Sequence, residues 1–372
     1  MWRELRAYVF SRYLNLLLLF VPAVFLMELI HVGPVWLFVA SGLAIVPLAG
    51  VLGDATEEVA GRMGPVAGGL LSGTLGNATE LIIALIAVKA GELEVVKASI
   101  TGSILGNLLL VFGLSVLAGG WGREKQKFER THASANTSML MLAVCALVMP
   151  AVFDLVVYHR LDVETPVVQK LSLWTAGVLI LTYFGSFVFS FKTHRHLFTA
   201  EAHGQAKMAR KTAFTLMAVA TILIGVVSEV LVKQIEAATR ALGMTKFFAG
   251  VIIVAVVGNA AEHSAAVFAA RKDKMDLALT IAVGSSVQIA LLVAPLIVFA
   301  SYFLGSQPMS LVFNGFEIAA VILSVLIIAL VSLDGETNWF EGLQLVAVYL
   351  ILAIAFYFVP AAQSSGSAPV TP

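Results

Sequence analysis

Long apolar runs divide this 372-residue chain into segments of the length that crosses a lipid bilayer. One spanning helix needs about 20 predominantly apolar residues. We count eleven such runs, at approximately 14–31, 34–60, 65–89, 94–119, 133–153, 171–191, 212–238, 246–270, 275–303, 309–332 and 338–359. Lipid offers the backbone no hydrogen-bonding partners, so runs of this length are expected to be helical. The sequence therefore predicts an all-α polytopic membrane protein with about eleven transmembrane helices.

The composition agrees with a membrane location. Hydrophobic residues make up 59% of the chain and charged residues only 12%, whereas soluble chains carry about 25% charged residues. The formal net charge is zero, which gives no basis for nucleic-acid binding. The single cysteine, Cys145, lies in an apolar run and is predicted to be a buried small hydrophobe. The basic segment 2–12 leads into an apolar run without a small-residue cleavage site, so we expect a retained first span.

Loop charges indicate an orientation. Basic residues precede span one and follow spans four, six and eight, at Arg3, Arg6, Arg12, Arg123, Lys125, Lys127, Arg130, Lys192, Arg195, Lys207, Arg210, Lys211, Arg271, Lys272 and Lys274. All of these groups fall on one side, and the positive-inside rule places that side, with the N-terminus, in the cytoplasm. Two groups are exceptions. The loop after span ten is acidic on the same side, and Lys233, Arg240 and Lys246 fall on the other side.

The chain contains an internal repeat. GNATE occupies residues 76–80 and GNAAE occupies residues 258–262, so Glu262 follows Glu80 by 182 residues. The same offset aligns 68–113 with 250–295 without a gap. Spans two to six and seven to eleven thus form two five-helix halves. Because each half has an odd number of spans, the halves are predicted to be inverted, as in secondary transporters.

This repeat sets the predicted domain boundaries. An N-terminal segment with the extra first helix covers 1–32, and the two repeats cover 33–191 and 212–360. A cytoplasmic linker covers 192–211, and the polar, uncharged tail 361–372 is expected to be disordered.

Each repeat places a carboxylate inside an apolar span, where it costs about 2.5–3.5 kcal/mol on insertion scales. On a helix, Asn77 and Glu80 are three residues apart and share a face, as do Asn259 and Glu262. Inversion of one half brings the two glutamates together near the midplane. The predicted site therefore combines two carboxylates and two amide oxygens, contributed by Asn77, Glu80, Asn259 and Glu262.

Such a hard, all-oxygen ligand set suits Ca²⁺ or Mn²⁺. It does not suit Cu(I) or structural zinc, because no cysteine or second close histidine accompanies it. Two carboxylates neutralise a divalent ion, and in its absence like charges in a low dielectric favour bound protons. One site that holds either a divalent cation or protons predicts a cation exchanger. The structural alternative is a buried glutamate pair bonded to the backbone.

Further polar residues are predicted to support this site or a path to it. Members near the site are Ser103, Ser285, Gln288 and His263, and members farther along the spans are Glu58 and Glu229. The alternative for the serines is ordinary hydrogen bonding between helices. His263 is either a proton relay or a structural histidine. Glu58 and Glu229 correspond between the repeats, which favours a cation path, whereas their neighbours Asp54 and Glu57 are expected at a solvated helix end.

Four motifs in order resemble those of the Ca²⁺/H⁺ antiporter (cation/proton exchanger, CAX) family of the Ca²⁺:cation antiporter superfamily. They are GNATELI at 76–82, GSILGNLLLVFG at 102–113, GNAAEH at 258–263 and GSSVQIALLVAP at 284–295. The resemblance implies ten core helices plus an extra first helix. It also implies alternating access by sliding of a two-helix bundle, spans one and six, with spans two and seven as gates.

The same resemblance implies a function. Glu80 and Glu262 match the central ion-binding glutamates of the family, the substrates are Ca²⁺ and protons, and no cofactor is required. A homo-oligomer is compatible with it. The segment 191–211 is basic and contains His194, His196 and His203, where family members often carry an acidic stretch. The chain has no long N-terminal extension of the eukaryotic vacuolar type, which favours a prokaryotic plasma-membrane protein.

Three alternatives are considered. Na⁺/Ca²⁺ exchangers, the sister group, carry GTS-x-PE where this chain has GNATE, and an acid or amide where it has Ile104 and Ser286. Those Na⁺-coordinating oxygens are missing, so protons are the expected driving ion; Mn²⁺ in place of Ca²⁺ stays open. An enzyme is not expected, since neither an HExxH motif nor a soluble catalytic domain is present. Inverted repeats with buried acids also argue against a passive channel.

Overall fold

The computed structural model describes residues 13–159, 165–190 and 208–360. Within them a 3₁₀ segment, Tyr13–Leu19, leads into the first of twelve helices. The helices are α1 (Phe20–Leu29), α2 (Pro34–Ala60), α3 (Pro65–Leu75), α4 (Ala78–Lys89), α5 (Leu93–Gly120), α6 (Arg130–Tyr158), α7 (Pro166–Val188), α8 (Arg210–Leu242), α9 (Lys246–Arg271), α10 (Met275–Leu304), α11 (Gly315–Val331) and α12 (Trp339–Tyr357). The expected tail and most of the expected linker lie outside the described residues.

The prediction of an all-helical multi-pass protein is confirmed. Eight of the described helices are long and apolar enough to cross a membrane, or nine if α3 and α4 count as one bent span. Two further apolar helices are shorter, Leu14–Leu29 and Gly315–Val331.

The third predicted span, 65–89, is not one straight helix. It divides into α3 and α4, which meet at an angle of 47° around Gly76 and Asn77. The expectation that Asn77 and Glu80 share a face of one helix is therefore wrong, because Asn77 precedes α4 with non-helical dihedrals. Half-helices that end near the midplane are a recurring device for ion binding in transporters.

Helices α2 and α8 form the most extensive helix pair of the described structure. The end of α2 lies beside the start of α8, where Arg62 donates to the carbonyl of Met208, so the two helices run antiparallel. The pairing of spans one and six that the resemblance implied is wrong. Instead, α1 packs on α2 and α7 packs on α10. Span one precedes the repeats, so the first helices of the two repeats are α2 and α8.

Three loops meet on one face, which we call the basic-loop face: 121–129, 272–274 and 332–338. The two-residue strands β1 (Gln126–Lys127) and β2 (Glu336–Thr337) pair antiparallel across it. Glu336 accepts from Lys125 at 2.6 Å, and Arg123 lies 3.7 Å from Asp273. The acidic loop after span ten, an exception in the charge pattern, is thus matched by the basic loop beside it.

Protonation of Glu336 is predicted to weaken this cluster. The hydrogen bond from Lys125 lowers the pKa of Glu336 below its ordinary value of 4.5. A lowered carboxyl pKa contributes stability above the ordinary value, and this contribution is lost as pH falls through the folded-state value. We expect Glu336→Gln to lower the melting temperature slightly at pH 7, and this difference to disappear only as pH falls through the lowered folded-state pKa of Glu336. Equal melting temperatures of both proteins at pH 7 would show that the ion pair contributes nothing.

The outer surface of the bundle is apolar, as expected in lipid. Trp174, Leu181 and Phe303 are 77%, 74% and 87% exposed. Cys145 also lies on this surface, so the prediction of a buried cysteine is wrong. In a chain that spans lipid, an apolar run does not distinguish a core-facing residue from a lipid-facing one.

Candidate cation site

The first motif lies at the break between α3 and α4. Asn77 occupies the N-cap position of α4, where an asparagine usually caps the helix with its side-chain oxygen. Here the side chain makes no cap hydrogen bond. Its Nδ2 instead donates to Gln288 Oε1 of α10 at 2.6 Å, and its Oδ1 is buried without a partner among the described residues. The amide is thus held by α10 with an acceptor oxygen free.

Glu80 lies in the first turn of α4 and points across the repeat interface. A side-chain carbon on Gly258, in the second motif, would lie 3.4 Å from Glu80 Oε1. A Cβ at this position would already be in tight contact with the Glu80 side chain, and a larger side chain would displace it. The positive end of the α4 helix dipole favours a negative group in its first turn. Glu80 Oε2 is buried and has no hydrogen-bonding partner in the described part of the chain.

The second motif lies within the continuous helix α9. Asn259 Nδ2 donates to Ser103 Oγ at 2.9 Å and to the Ala255 carbonyl at 2.8 Å. Its Oδ1 accepts from Asn107 Nδ2 at 3.4 Å. These bonds tie α9 to α5, and they leave Asn107 Oδ1 as the buried amide oxygen without a described partner on this side.

Glu262 lies close to Glu80 and to Ser285. The two carboxyl groups interact electrostatically, and the Ser285 hydroxyl hydrogen-bonds to Glu262. Glu262 Oε2 is buried without a partner among the residues described. The two motif glutamates therefore lie near each other, as the repeat predicts.

Four buried oxygen atoms remain unpartnered where the two motifs meet, among the residues that the structure describes. They belong to Asn77, Glu80, Asn107 and Glu262. A buried polar atom without a partner costs about 1–3 kcal/mol, so these four oxygens are candidate ligands for a bound ion. Two carboxylates and two amide oxygens suit a hard divalent cation, which takes 6–8 oxygens in the case of Ca²⁺. No group of three or more His, Cys, Asp or Glu side chains able to hold a metal occurs in the described ranges.

The spans that cross behind the motifs carry matching irregularities. A π-helical turn covers Gly106–Val111 in α5, and another covers Ile289–Val293 in α10. The offset of 182 residues carries Val111 onto Val293. Ser286 Oγ lies 3.5 Å from the Ile104 carbonyl, and this pair is separated by the same 182 residues. Residues that contact their own repeat counterparts lie on the axis that relates the repeats. π-Helical turns within α-helices are frequent at functional sites.

A narrow cavity reaches Glu80 from one side. It lies between α4, α5, α9 and α10, and its deep end contains Glu80, Ser103 and Gly258. From there the cavity is lined by α4 as far as Ala84, by α5 as far as Ser99 and by α10 as far as Ile297. Each of these directions leads away from the basic-loop face, toward the loops at 90–92, 243–245 and 305–314. The cavity thus lies on the side of the first glutamate that faces away from the basic loops.

The structure does not bring all of the predicted residues to this site. Glu58 accepts from Arg62 at 2.8 Å near the basic-loop face, and Glu229 lies 3.0 Å from Lys233 toward the other face. The two ion pairs correspond between the repeats; of the predicted ligands only Glu80 lines the described cavity. His263 follows Glu262, with its Nε2 buried and unpartnered among described atoms.

Two residues at the site were not among the predicted ligands. Asn107 corresponds to Ile289 under the repeat offset, so a search for symmetric polar pairs does not select it. The sequence identifies Gly258 only as part of the GNAAE motif, whereas in the structure Glu80 packs against it. The signal in the sequence that could have identified Asn107 is its position as a polar residue within an apolar run.

Glu317 is a buried acid of another kind. It begins α11 in a capping box with Asn314, and Thr101 Oγ1 donates to its Oε1 at 3.1 Å. Both carboxylate oxygens therefore have partners, since Asn314 N donates to Oε2 at 2.9 Å. These bonds give Glu317 a structural role at the start of α11.

Comparisons with known proteins agree with this geometry. The sequence profile of the family described as sodium/calcium exchanger protein matches residues 33–192 and 212–358. The Ca²⁺/H⁺ antiporter of Synechocystis sp. is 44% identical over 369 residues, which cover 94% of this chain and 98% of the relative. The Ca²⁺/H⁺ antiporter ChaA of Bacillus subtilis is 40% identical over 346 residues, which cover 91% and 97%.

Among solved structures, that of native YfkE matches with a TM-score of 0.81 at 39% identity, covering 93% of this chain and 100% of that one. The resemblance drawn from the four motifs is confirmed, and it is to a family of transporters rather than enzymes. The chain belongs to the sodium/calcium exchanger protein family and, within it, to the Ca²⁺/H⁺ antiporters.

Proposed function

We propose that this protein exchanges Ca²⁺ for H⁺ across a membrane at one site built on Glu80 and Glu262. The observation that carries the proposal is the set of four buried, unpartnered oxygens where the two GNxxE motifs meet. The activity that names the relatives, Ca²⁺/H⁺ antiport, agrees with this ligand set.

The exchange follows from electrostatics. When Ca²⁺ is bound, the carboxylates of Glu80 and Glu262 neutralise it, and the oxygens of Asn77 and Asn107 replace part of its hydration shell. When Ca²⁺ leaves, two negative charges in a low-dielectric site repel each other and bind protons. Because the same oxygens bind either substrate, occupation by one excludes the other. Alternating access to the two faces then couples the two fluxes.

Asn259 has a positioning role in this proposal. Its amide is occupied by Ser103, Ala255 and Asn107, so it orients Asn107 rather than offering its own oxygen. Ser285 orients Glu262, and Gln288 orients Asn77. Glu58 and Glu229 as parts of a cation path, and His263 as a proton relay, stay predictions.

All eleven apolar runs are proposed to cross the membrane, with α3 and α4 as one broken span. The two inverted five-helix repeats are supported by the antiparallel α2 and α8 and by the contact of Ile104 with Ser286. A cytoplasmic basic-loop face is supported by the ion pairs that offset the exceptions to the charge pattern, and a prokaryotic plasma membrane stays a prediction. Glu336 pairs with Lys125, and Lys246 on the other face pairs with Glu92 at 3.0 Å. A homo-oligomer stays a prediction.

The proposal is tested by flux in reconstituted liposomes. With an acidic lumen, a neutral exterior and no Na⁺, we expect ⁴⁵Ca²⁺ uptake that follows the imposed pH gradient and stops when nigericin with K⁺ abolishes it. Excess unlabelled Mn²⁺ or Mg²⁺ in the same assay gives the selectivity. Uptake that needs an Na⁺ gradient and ignores the pH gradient would establish the Na⁺/Ca²⁺ alternative instead.

Gly258→Val is predicted to reduce Ca²⁺ exchange strongly by displacing Glu80. A Cβ on Gly258 would already lie 3.3 Å from Glu80 Cγ, and the two γ-methyl groups of valine extend farther. We expect at least about a ten-fold fall in exchange, within the 10–100-fold range typical of disturbed ligand positioning. Gly177→Val in α7 is the control, because a Cβ there meets nothing within 4 Å. Equal exchange by both variants would contradict the assigned position of Glu80.

A further inference from the structure

The one-sided cavity has a counterpart that the repeat defines. The offset of 182 residues carries the cavity residues Glu80, Ser103, Ala255 and Gly258 onto Glu262, Ser285, Gly73 and Gly76. These four positions lie on α9, α10 and α3. Since the repeats are inverted, a path along them leads from the second glutamate to the basic-loop face. Alternating access at the proposed site requires such a second path.

Aromatic side chains of α7 pack against Gly73, one of the positions of this second path. A Cβ on Gly73 would lie 2.7 Å from Tyr183 Oη, 3.1 Å from Phe187 Cζ and 3.6 Å from Gln288 Nε2. The Tyr183 hydroxyl donates to the Gly73 carbonyl at 3.3 Å. Tyr183 and Phe187 contact each other edge to face, with their ring centroids 5.1 Å apart. At the equivalent position of the open cavity, Ala255 is a lining residue.

We propose that Tyr183 and Phe187 are the gate on the basic-loop side, which closes the second path by packing on Gly73 of the half-helix α3. This inference rests on the proposed exchange function. Gly73 is about 12 Å along α3 from the start of the helix at residue 65, so the gate lies between the site and the basic-loop face. No described residue of the motifs themselves supplies an aromatic ring at this point.

The break between α3 and α4 explains how this gate opens. Because α3 is a separate half-helix, it can move away from α7 while α4 keeps Glu80 in place. Gln288 holds Asn77 at the break and also lies near Gly73, so movement of α3 changes the position of a ligand as well as the path. Tyr183, which is 3% exposed, therefore has two roles in this proposal. It closes the gate, and through its contact with α3 it positions a ligand for the exchange reaction.

Cysteine accessibility tests the gate without measuring transport. In a Cys145→Ala background, Ser72→Cys places a thiol in the second path, since Ser72 corresponds to the cavity residue Val254. Ser99→Cys places one at the cavity beside Glu80. A membrane-impermeant methanethiosulfonate is added to either side of sealed vesicles of known orientation. Tyr183→Ala is expected to increase the labelling rate of the Ser72 thiol from the basic-loop face by about ten-fold or more and to slow that of the Ser99 thiol, as a population shift requires.

Two control variants on α7 test whether any substitution in this helix changes the labelling rates. Leu181 is 74% exposed on the outer surface, and a Cβ on Gly177 meets nothing within 4 Å, so Leu181→Ala and Gly177→Ala should leave both rates unchanged. Gly73→Ala should act like Tyr183→Ala, because its Cβ displaces the aromatic pair. If Tyr183→Ala fails to fold, Gly73→Ala and the milder Tyr183→Phe, which removes only the bond to Gly73, decide the outcome.

The gate and the proposed function fail in different ways. Labelling of the Ser72 thiol that is as fast in the parent as in the Tyr183 and Gly73 variants overturns the gate, even with normal Ca²⁺/H⁺ exchange. The expected labelling pattern in a protein that shows no exchange keeps the gate and overturns the function.

Discussion

Glu80→Gln is expected to abolish pH-gradient-driven Ca²⁺ uptake, and Glu262→Gln is expected to do the same. Glutamine has nearly the same shape but leaves a divalent cation half neutralised in a low-dielectric site. Loss of one charge from a buried, paired set costs about 2–5 kcal/mol, which is roughly a 30-fold or greater fall in affinity. Neither variant can exchange protons at the replaced side chain. The measurement is ⁴⁵Ca²⁺ uptake by proteoliposomes at matched protein incorporation.

Glu317→Gln is the matched control for these variants, since it also neutralises a buried glutamate of the described membrane region. Its carboxylate oxygens are occupied by Thr101 and by the Asn314 backbone, and it does not line the cavity. We expect Glu317→Gln to keep near wild-type exchange. If all three variants lost uptake alike, the loss would reflect a general sensitivity to buried charge rather than a cation site at the motifs.

Asn259→Ala is predicted to weaken Ca²⁺ binding although the Asn259 oxygen is not offered to the cation. The substitution removes the bonds to Ser103 and Asn107, so the free oxygen of Asn107 is no longer oriented. Loss of a residue that orients metal ligands typically costs 10–100-fold in affinity. We expect the Ca²⁺ concentration for half-maximal uptake to rise by about that factor, with a smaller change in maximal rate.

Asn136→Ala provides the comparison, because Asn136 is a buried asparagine of α6, 7% exposed, that does not line the cavity. Its half-maximal Ca²⁺ concentration should match that of the wild type. A fall in maximal rate with unchanged half-saturation in Asn259→Ala would show that Asn259 serves folding or movement and not ligand orientation. Rescue by Asn259→Gln is not expected, since the longer side chain displaces the amide from Ser103.

The parts of this account that the sequence predicts are those that depend on apolar length and on the repeat. Runs of about 20 apolar residues specify helices in lipid whatever their neighbours are. The constant offset between Glu80 and Glu262 predicts that inverted halves bring the two acids together, and the structure places them within electrostatic range. Their roles as ligands stay proposals.

The break at Gly76 and Asn77 was not predictable from periodicity. GNATE and GNAAE differ little, yet the first motif interrupts a helix and the second lies in a continuous one. The difference arises from tertiary contacts, since Asn77 is held by Gln288 whereas Asn259 bonds within α9 and to α5. Gln288 has glycine as its repeat counterpart, so no symmetric argument selects this contact.

The exceptions to the positive-inside pattern also could not be explained from the sequence alone. The acidic loop 332–338 seemed to disagree with the positive-inside pattern because a sequence shows charges without their partners. Pairing of β1 with β2 places Glu336 beside Lys125 and Lys127. Only the pairing of distant loops explains why the acid is tolerated there.

The central claim is that Ca²⁺ and protons occupy the same pair of carboxylates, and proton release tests it most directly. Purified protein in weakly buffered solution near neutral pH is titrated with Ca²⁺ while a pH indicator records released protons and calorimetry records binding. Ca²⁺ binding by the wild type should release protons in proportion to occupancy, and the Glu80→Gln, Glu262→Gln double variant should show neither binding nor release. Ca²⁺ binding without proton release, or unchanged release in the double variant, would contradict the shared site.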